Sequence, residues 1–401
     1  MAAELLADGK VRSWASILDD VTRLQAEATS RLPILAGPVA LMPDAHWGMG
    51  ATIGSVLVTD DAVIPAAVGV DIGCGMAARR LALPADQLDV ETLRAWQAQM
   101  RLLVPAGLGK WHDEPGSDTG QWMELNPPSN RLENRGRAAD QLGTLGSGNH
   151  FVELAVDEVG SVWILLHSGS RGAGNKLAQI HTAIADELTG ALAAHATGTK
   201  DGRDLAWLTK DTKEFDAYLV DLDWSQRYAL ENRRQLLSGA HRALNIALDL
   251  PIAVTDEVNC HHNYAVREYV VDLGRTAYVT RKGAIRAGVT DRGLIPGAMG
   301  QASFVVRGRN NQAAYASCSH GAGRLMSRGR ARREIDLADF EARMEGVVWQ
   351  DRSAEALLDE APQSYKDIET VMHDQRDLVQ IEHTLRAVAN FKGVEGKRRK
   401  R

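Results

Sequence analysis

Long apolar runs are what this sequence most plainly lacks. The stretch AVIPAAVGV at residues 62 to 70 falls far short of the roughly 20 residues that span a bilayer, so no membrane partner is expected. The opening MAAELLADGKVRSW carries acidic residues and no basic-then-apolar order, which excludes a signal-peptide reading and leads us to expect a cytoplasmic protein. Cysteine is scarce too. Cys74, Cys260 and Cys318 cannot build a disulfide framework, which agrees with a reducing compartment. No G-x-x-x-x-G-K-[ST] occurs, so a Walker phosphate loop is excluded, and no fixed-period repeat is present. A positive net charge is also missing: the balance is −6, which argues against a generic nucleic-acid coat.

The positive charge that is there is clustered. RLMSRGRARR at 324 to 333 holds five arginines, and the sequence closes on a basic tail, residues 394–401, that reads equally as an RNA contact or a solvated run. Apolar spacing predicts helices over 11 to 29, 89 to 101 and 214 to 248, the last as one long helix or a broken pair. PVALM, IGSVLVT, SVWILL, REYVVDL, TAYVT and ASFVV read as strands, while 107 to 135 and 196 to 213 read as polar surface loops. Strand and helix do not alternate regularly. We therefore expect an α+β fold of mixed, largely antiparallel sheets with surrounding helices, in a single domain over 1–401.

Chemistry concentrates where those strands end in glycine-rich loops. GVDIGCGM sets Asp71 three residues before Cys74. A carboxylate with a thiolate suits a borderline transition metal, and a thiolate can bridge two ions; a structural cysteine beside a turn aspartate is the competing reading. His150, His167 and His262 lie in loops of the same Gly/Ser/Asn character and would complete a two-ion donor set. Since neighbours on an extended chain face opposite ways, only one of His261 and His262 is expected to be a ligand. HSGSRGAG and SHGAGR offer backbone N–H groups with Arg171 and Arg324, a combination suited to phosphate oxygens. Between small residues, His320 is open to approach. Its residue chemistry leaves three roles: nucleophile on a nucleoside triphosphate, metal ligand, or general acid.

Nine motifs in order carry a resemblance: MPDAHWGMGATIGSV, AAVGVDIGCGM, LGSGNHFVEL, HSGSRGAG, HHNYA, RKGAIRA, PGAMGQASFVVRG, CSHGAGRLMSR and EAPQSYKDIETVM. Together they resemble the RtcB-type RNA ligases, also called tRNA-splicing ligases, from about residue 38 to Gly393. The resemblance implies an RtcB-like fold and an enzyme that uses GTP and two Mn2+ ions to join RNA 3′-phosphate or 2′,3′-cyclic phosphate ends to 5′-hydroxyl ends. It implies that His320 takes GMP covalently, and that Asp71, Cys74, His150, His167 and His262 are the metal ligands with Cys74 bridging. It further implies Asn149, Glu153, Ser303, Tyr365 and Lys392 as nucleotide contacts, Arg171 and Arg324 as phosphate or RNA-end contacts, and an archease-like activator as a possible partner. Asp44 and His46 are assigned to the wall of the site or to the layer just behind it. Ala298 stands where many relatives have serine, which removes one hydrogen bond to nucleotide. Two other readings share these residues: a dinuclear metallophosphoesterase that opens or removes terminal phosphates without ligation, and an RNA-end binding protein without turnover.

Overall fold

The computed structural model describes residues 3–350 and 353–393. The basic tail at 394–401 lies outside the described residues. Two large sheets organise the chain. The first has six strands in the order Glu4–Leu6, Val11–Ser13, Val39–His46, Ile53–Thr59, Arg275–Lys282 and Asn263–Val270, antiparallel except where Val11–Ser13 runs parallel to Val39–His46. The second has seven, all antiparallel, in the order Val254–His261, Gly75–Pro84, Ser161–Ser168, Phe151–Val156, Val379–Lys392, Ala302–Gly308 and Arg292–Pro296. Arg292 draws the outer strands of this sheet toward each other, its guanidinium holding both Asp256 oxygens at 2.8 and 2.7 Å. The expected α+β architecture with largely antiparallel sheets is what the chain forms.

The apolar runs are continuous because these strands are buried on both faces. Along Ser161–Ser168, Ile164 and Leu166 join one core with Leu236, Leu244 and Trp96, while Trp163 and Leu165 join another with Val305 and Leu385. Alternate side chains thus serve opposite layers. The helix expected at 214 to 248 is one unbroken element, Lys213–Leu248, capped where the Thr212 hydroxyl accepts from Phe215 N and stopped at Asp249 with φ 49°. Val90–Leu103 packs beside it, with Trp96 Nε1 donating to Ala240 O at 3.2 Å.

One expectation fails at its start. Residues 11 to 13 are a strand paired to 39 to 41, and the helix begins only at Asp20, where Asp19 caps Thr22 N at 2.9 Å. The helix Arg171–Thr197 and the strand Val379–Lys392 are also additions to the sequence reading. Short helices Ser117–Leu125 and Lys200–Leu205 punctuate the two expected loops. Among the described residues no helix is long and apolar enough to cross a membrane.

Candidate active site and metal centre

The two sheets meet at a cavity of about 710 Å3, and strand ends supply its chemistry. His167 closes the strand Ser161–Ser168, and His150 precedes Phe151–Val156. His262 is the single residue between Val254–His261 of one sheet and Asn263–Val270 of the other, while His320 follows Ser317–Ser319 directly.

Five donor side chains stand in a row. Asp71 Oδ2 lies 3.2 Å from His150 Nε2, Cys74 Sγ lies 3.5 Å from His150 Nε2 and 3.2 Å from His167 Nε2, and His167 Nε2 lies 3.3 Å from His262 Nε2. The thiol thus sits in the middle of the set. The donor atoms of Cys74, His150 and His167 fall within 4.8 Å of one another. Whether they fit a metal can be judged from the far ring nitrogens. His150 Nδ1 faces Leu145 O at 3.0 Å and His167 Nδ1 faces Asn149 O at 3.1 Å, so each carries its proton there and turns an Nε2 lone pair toward the thiol. Burial, then the charges of nearby histidines, holds His167 and His262 well below the ordinary imidazole range, so both stay neutral. Burial would raise Asp71, but the hydrogen bond and charge of His150, with Arg171, bring it down to about 2. Imidazoles, a carboxylate and a buried sulfur converging on one another fit a divalent cation. His261 points away, its Nδ1 2.8 Å from Gly73 O, so only His262 of the pair joins the row.

His320 extends it, its ring centroid 4.8 Å from that of His262. Asp44, wholly buried, governs this histidine: its Oδ2 accepts from His320 N at 3.0 Å and Gly321 N at 3.2 Å and lies 2.7 Å from His320 Nδ1. The last approach is close but off the line of a well-formed hydrogen bond. Burial pushes the Asp44 carboxyl up, and the charge and close approach of the His320 ring more than offset it, leaving it below its usual value. Two glycines make the fit possible. A Cβ at Gly323, φ 74°, would fall 2.2 Å from Asp44 O, and one at Gly283, φ 61°, would crowd Ile53 and the His320 ring.

The remaining expected residues fall on the same cavity, except one. Asn149, Glu153, Ser303, Arg324, Tyr365 and Lys392 line it, as does Ala298. Burial raises Glu153 to about 7 against the pull of Asn390, which donates to its Oε2 at 3.1 Å, and of Lys392. Arg171 is not among the lining residues; it opens the helix Arg171–Thr197 with its Nε on Thr144 Oγ1 at 3.2 Å and its charge behind Asp71.

Sequence reasoning missed Glu360, which gathers donors of the cavity wall: Oε2 accepts from Lys392 Nζ at 3.1 Å and Tyr365 OH at 2.9 Å, with Arg324 and Arg328 ion-paired to Oε1 at 3.6 and 3.4 Å. It opens the EAPQSYKDIETVM motif that also carries Tyr365. Also missed were Asn232 and Arg233 of the helix Lys213–Leu248, which pin three loops from behind. Asn232 accepts from Gly143 N at 2.8 Å and donates to Gly169 O at 3.1 Å, and Arg233 donates to Gly73 O at 2.8 Å and Ser168 O at 3.1 Å. Lys282, which lines the cavity, gives its amino group to Ala66 O at 2.9 Å and to Met49 O, and burial lowers it to about 7.

The model of one family, the tRNA-splicing ligase RtcB, matches residues 25–124 and 110–393. The chain belongs to the RtcB family. It is 40% identical over 391 residues to the RNA-splicing ligase RtcB of Escherichia coli K12, covering 92% of this chain and 94% of that one. Over 416 residues it is 30% identical to the RNA-splicing ligase RtcB of Mycobacterium bovis, with 87% and 95% covered. The tRNA-splicing ligase RtcB of Nanoarchaeum equitans is 28% identical over 472 residues, covering 97% of each. As a member of the RtcB family the chain is an RNA ligase, and RNA is its class of substrate.

Proposed function

We propose that this ligase joins RNA 3′-phosphate or 2′,3′-cyclic phosphate ends to 5′-hydroxyl ends through GMP carried on His320. The observation that supports it most is the row from Asp71 through Cys74 to His262, which runs up to a histidine oriented by a buried carboxylate. With Nδ1 against Asp44, His320 is left with Nε2 as its nucleophilic atom. That nitrogen attacks the α-phosphorus of GTP, forming an N–P bond as the bond to pyrophosphate breaks. An oxygen of the RNA 3′-phosphate then displaces His320 from that phosphorus. The 5′-hydroxyl of the second RNA attacks the activated 3′-phosphate and GMP leaves. A cyclic phosphate is first opened by water to the 3′-phosphate.

Asp71, Cys74, His150, His167 and His262 would hold two manganese ions with the thiolate shared, and ions bound there neutralise phosphate charge and polarise phosphorus. Asn149 and Arg324 face the guanylate and RNA phosphates, and Arg171 supports Asp71 from behind. Ser303, Tyr365 and Lys392 surround the nucleoside. Glu153, when ionised, accepts the paired N1–H and N2–H of guanine, a pair adenine does not offer. We assign all this to one catalytic domain over 1–401 acting in the cytoplasm, where its three free cysteines stay reduced, with an archease-like activator as partner. The family assignment does not favour phosphoesterase action without ligation.

The test is incubation with α-labelled GTP and manganese, then denaturation and a gel, with His320→Ala alongside. The expected result is acid-labile label on the native chain and none on the variant, with the variant's metal content nearly intact. A native chain that binds metal and GTP yet carries no label overturns the covalent step.

A further inference from the structure

The loop between the strands Val39–His46 and Ile53–Thr59 carries two large apolar side chains into water. Trp47 is 58% exposed and Met49 56%. Single exposed apolar residues are ordinary on a protein surface, but Met49 lines the catalytic cavity and Trp47 lies two residues before it in the same loop. His46 and Met49 on either side of Trp47 line that cavity, and so does Val70, itself 38% exposed.

The loop is held from several directions. Gln25, on the helix Asp20–Thr29, donates to Gly48 O at 2.5 Å and Gly50 O at 2.7 Å and accepts from Gly48 N at 3.2 Å. Lys282 donates to Met49 O from inside the cavity, and His46 Nδ1 lies 2.9 Å from Asp44 O. Two side chains, Gln25 and Lys282, are thus committed to the backbone of a segment whose outward face is an indole and a thioether. Among the described residues the indole makes no hydrogen bond, and the backbone that carries it is held before any ligand arrives, so binding to it loses little further backbone freedom.

We propose that Trp47, backed by Met49, is a stacking platform for an unpaired nucleobase next to the RNA end being joined. This rests on the RNA-ligase reading above and extends it from the reacting phosphates to the neighbouring base. Single-stranded RNA is held by stacking splayed bases on aromatic side chains, a contact tolerant of base identity because every base has a flat face. Tolerance of this kind suits a ligase that must accept ends of differing sequence. The platform lies beside the site and takes no part in transfer to or from His320.

The experiment pairs Trp47→Ala and Trp47→Phe with RNAs abasic at one position at a time near the junction. Binding is read by anisotropy of labelled 3′-phosphate and 5′-hydroxyl strands, and ligation separately. Trp47→Ala should weaken binding of at least one intact strand about tenfold, the scale of one lost stacking contact, and Trp47→Phe much less. The penalty should vanish on RNA abasic at one particular position, while GMP uptake without RNA stays unchanged. Equal losses on intact and every abasic RNA, no loss at all, or a change of oligomeric state as the sole effect would overturn the platform. Because binding is read without turnover, a native chain that binds both strands but takes up no GMP contradicts the covalent reading and leaves the platform to be judged by the binding data.

Discussion

A buried carboxylate that accepts two backbone N–H groups and touches an imidazole fixes that ring's direction as well as its charge. Asp44 does this for His320 across 276 positions of sequence. Asp44→Asn should fold and bind GTP but slow covalent GMP uptake by roughly 10²-fold, the scale of a misplaced proton-handling group. An unchanged rate in a labelling time course would reduce Asp44 to a structural loop anchor. Glu153 makes a second case, because burial lifts it from 4.5 to about 7. The folded chain then binds more protons than the unfolded one across that window, so this residue's stability contribution is complete below about 4.5 and is lost as pH rises through about 7. Glu153→Gln should therefore raise the melting temperature, relative to the native chain, more at pH 8 than at pH 5. An equal difference at both pH values would mean Glu153 does not titrate there.

At the scale of elements, the helix Lys213–Leu248 is the back wall of the candidate metal centre. Asn232→Ala removes the acceptor for Gly143 N and a donor to Gly169 O, and losing buried partners of this kind costs about 1–3 kcal/mol. Urea unfolding should show that loss together with weaker metal binding; a loss of stability with metal affinity intact would separate the helix from the site. Elements were legible in the sequence where one periodicity held throughout. SVWILL and IGSVLVT were readable as strands because both faces are buried, and 214 to 248 as a helix because its apolar stripe never lapses. Val379–Lys392 escaped because register shifts at 387 to 389 and opposite Val305 and Val306 throw its alternation out of step. Arg171–Thr197 escaped because it opens with Arg171 at φ 57° and two glycines, and buries mainly small side chains. The site was legible wherever its residues share a short glycine-rich motif. Asp44, Glu360 and Arg233 act on partners distant in sequence, which only the folded chain reveals.

For the whole molecule, the seam between the sheets and the metal centre are one place. His262 N donates to Cys74 O at 2.8 Å, just before the strand Gly75–Pro84 of the second sheet, and His262 O accepts from Ala284 N at 3.1 Å, just beyond the strand Arg275–Lys282 of the first, so this histidine links strand ends of both sheets. Chelation should speed hydrogen exchange at His262 and Cys74 while the interior of the strand Ser161–Ser168 stays protected. Unchanged protection at His262 would show the seam to be held by backbone pairing alone. The position of Val379–Lys392 also sets an order of assembly. This strand lies between Phe151–Val156 and Ala302–Gly308, yet the ribosome makes it after every other strand of the sheet. A growing chain therefore has all five proposed metal donors and His320 in hand while the middle of the sheet is still open, and gains Lys392 only as that gap is filled. On the proposed reading, competence toward nucleotide therefore follows assembly of the metal donors, and a chain cut short before residue 379 should hold those donors with no complete place for a guanosine.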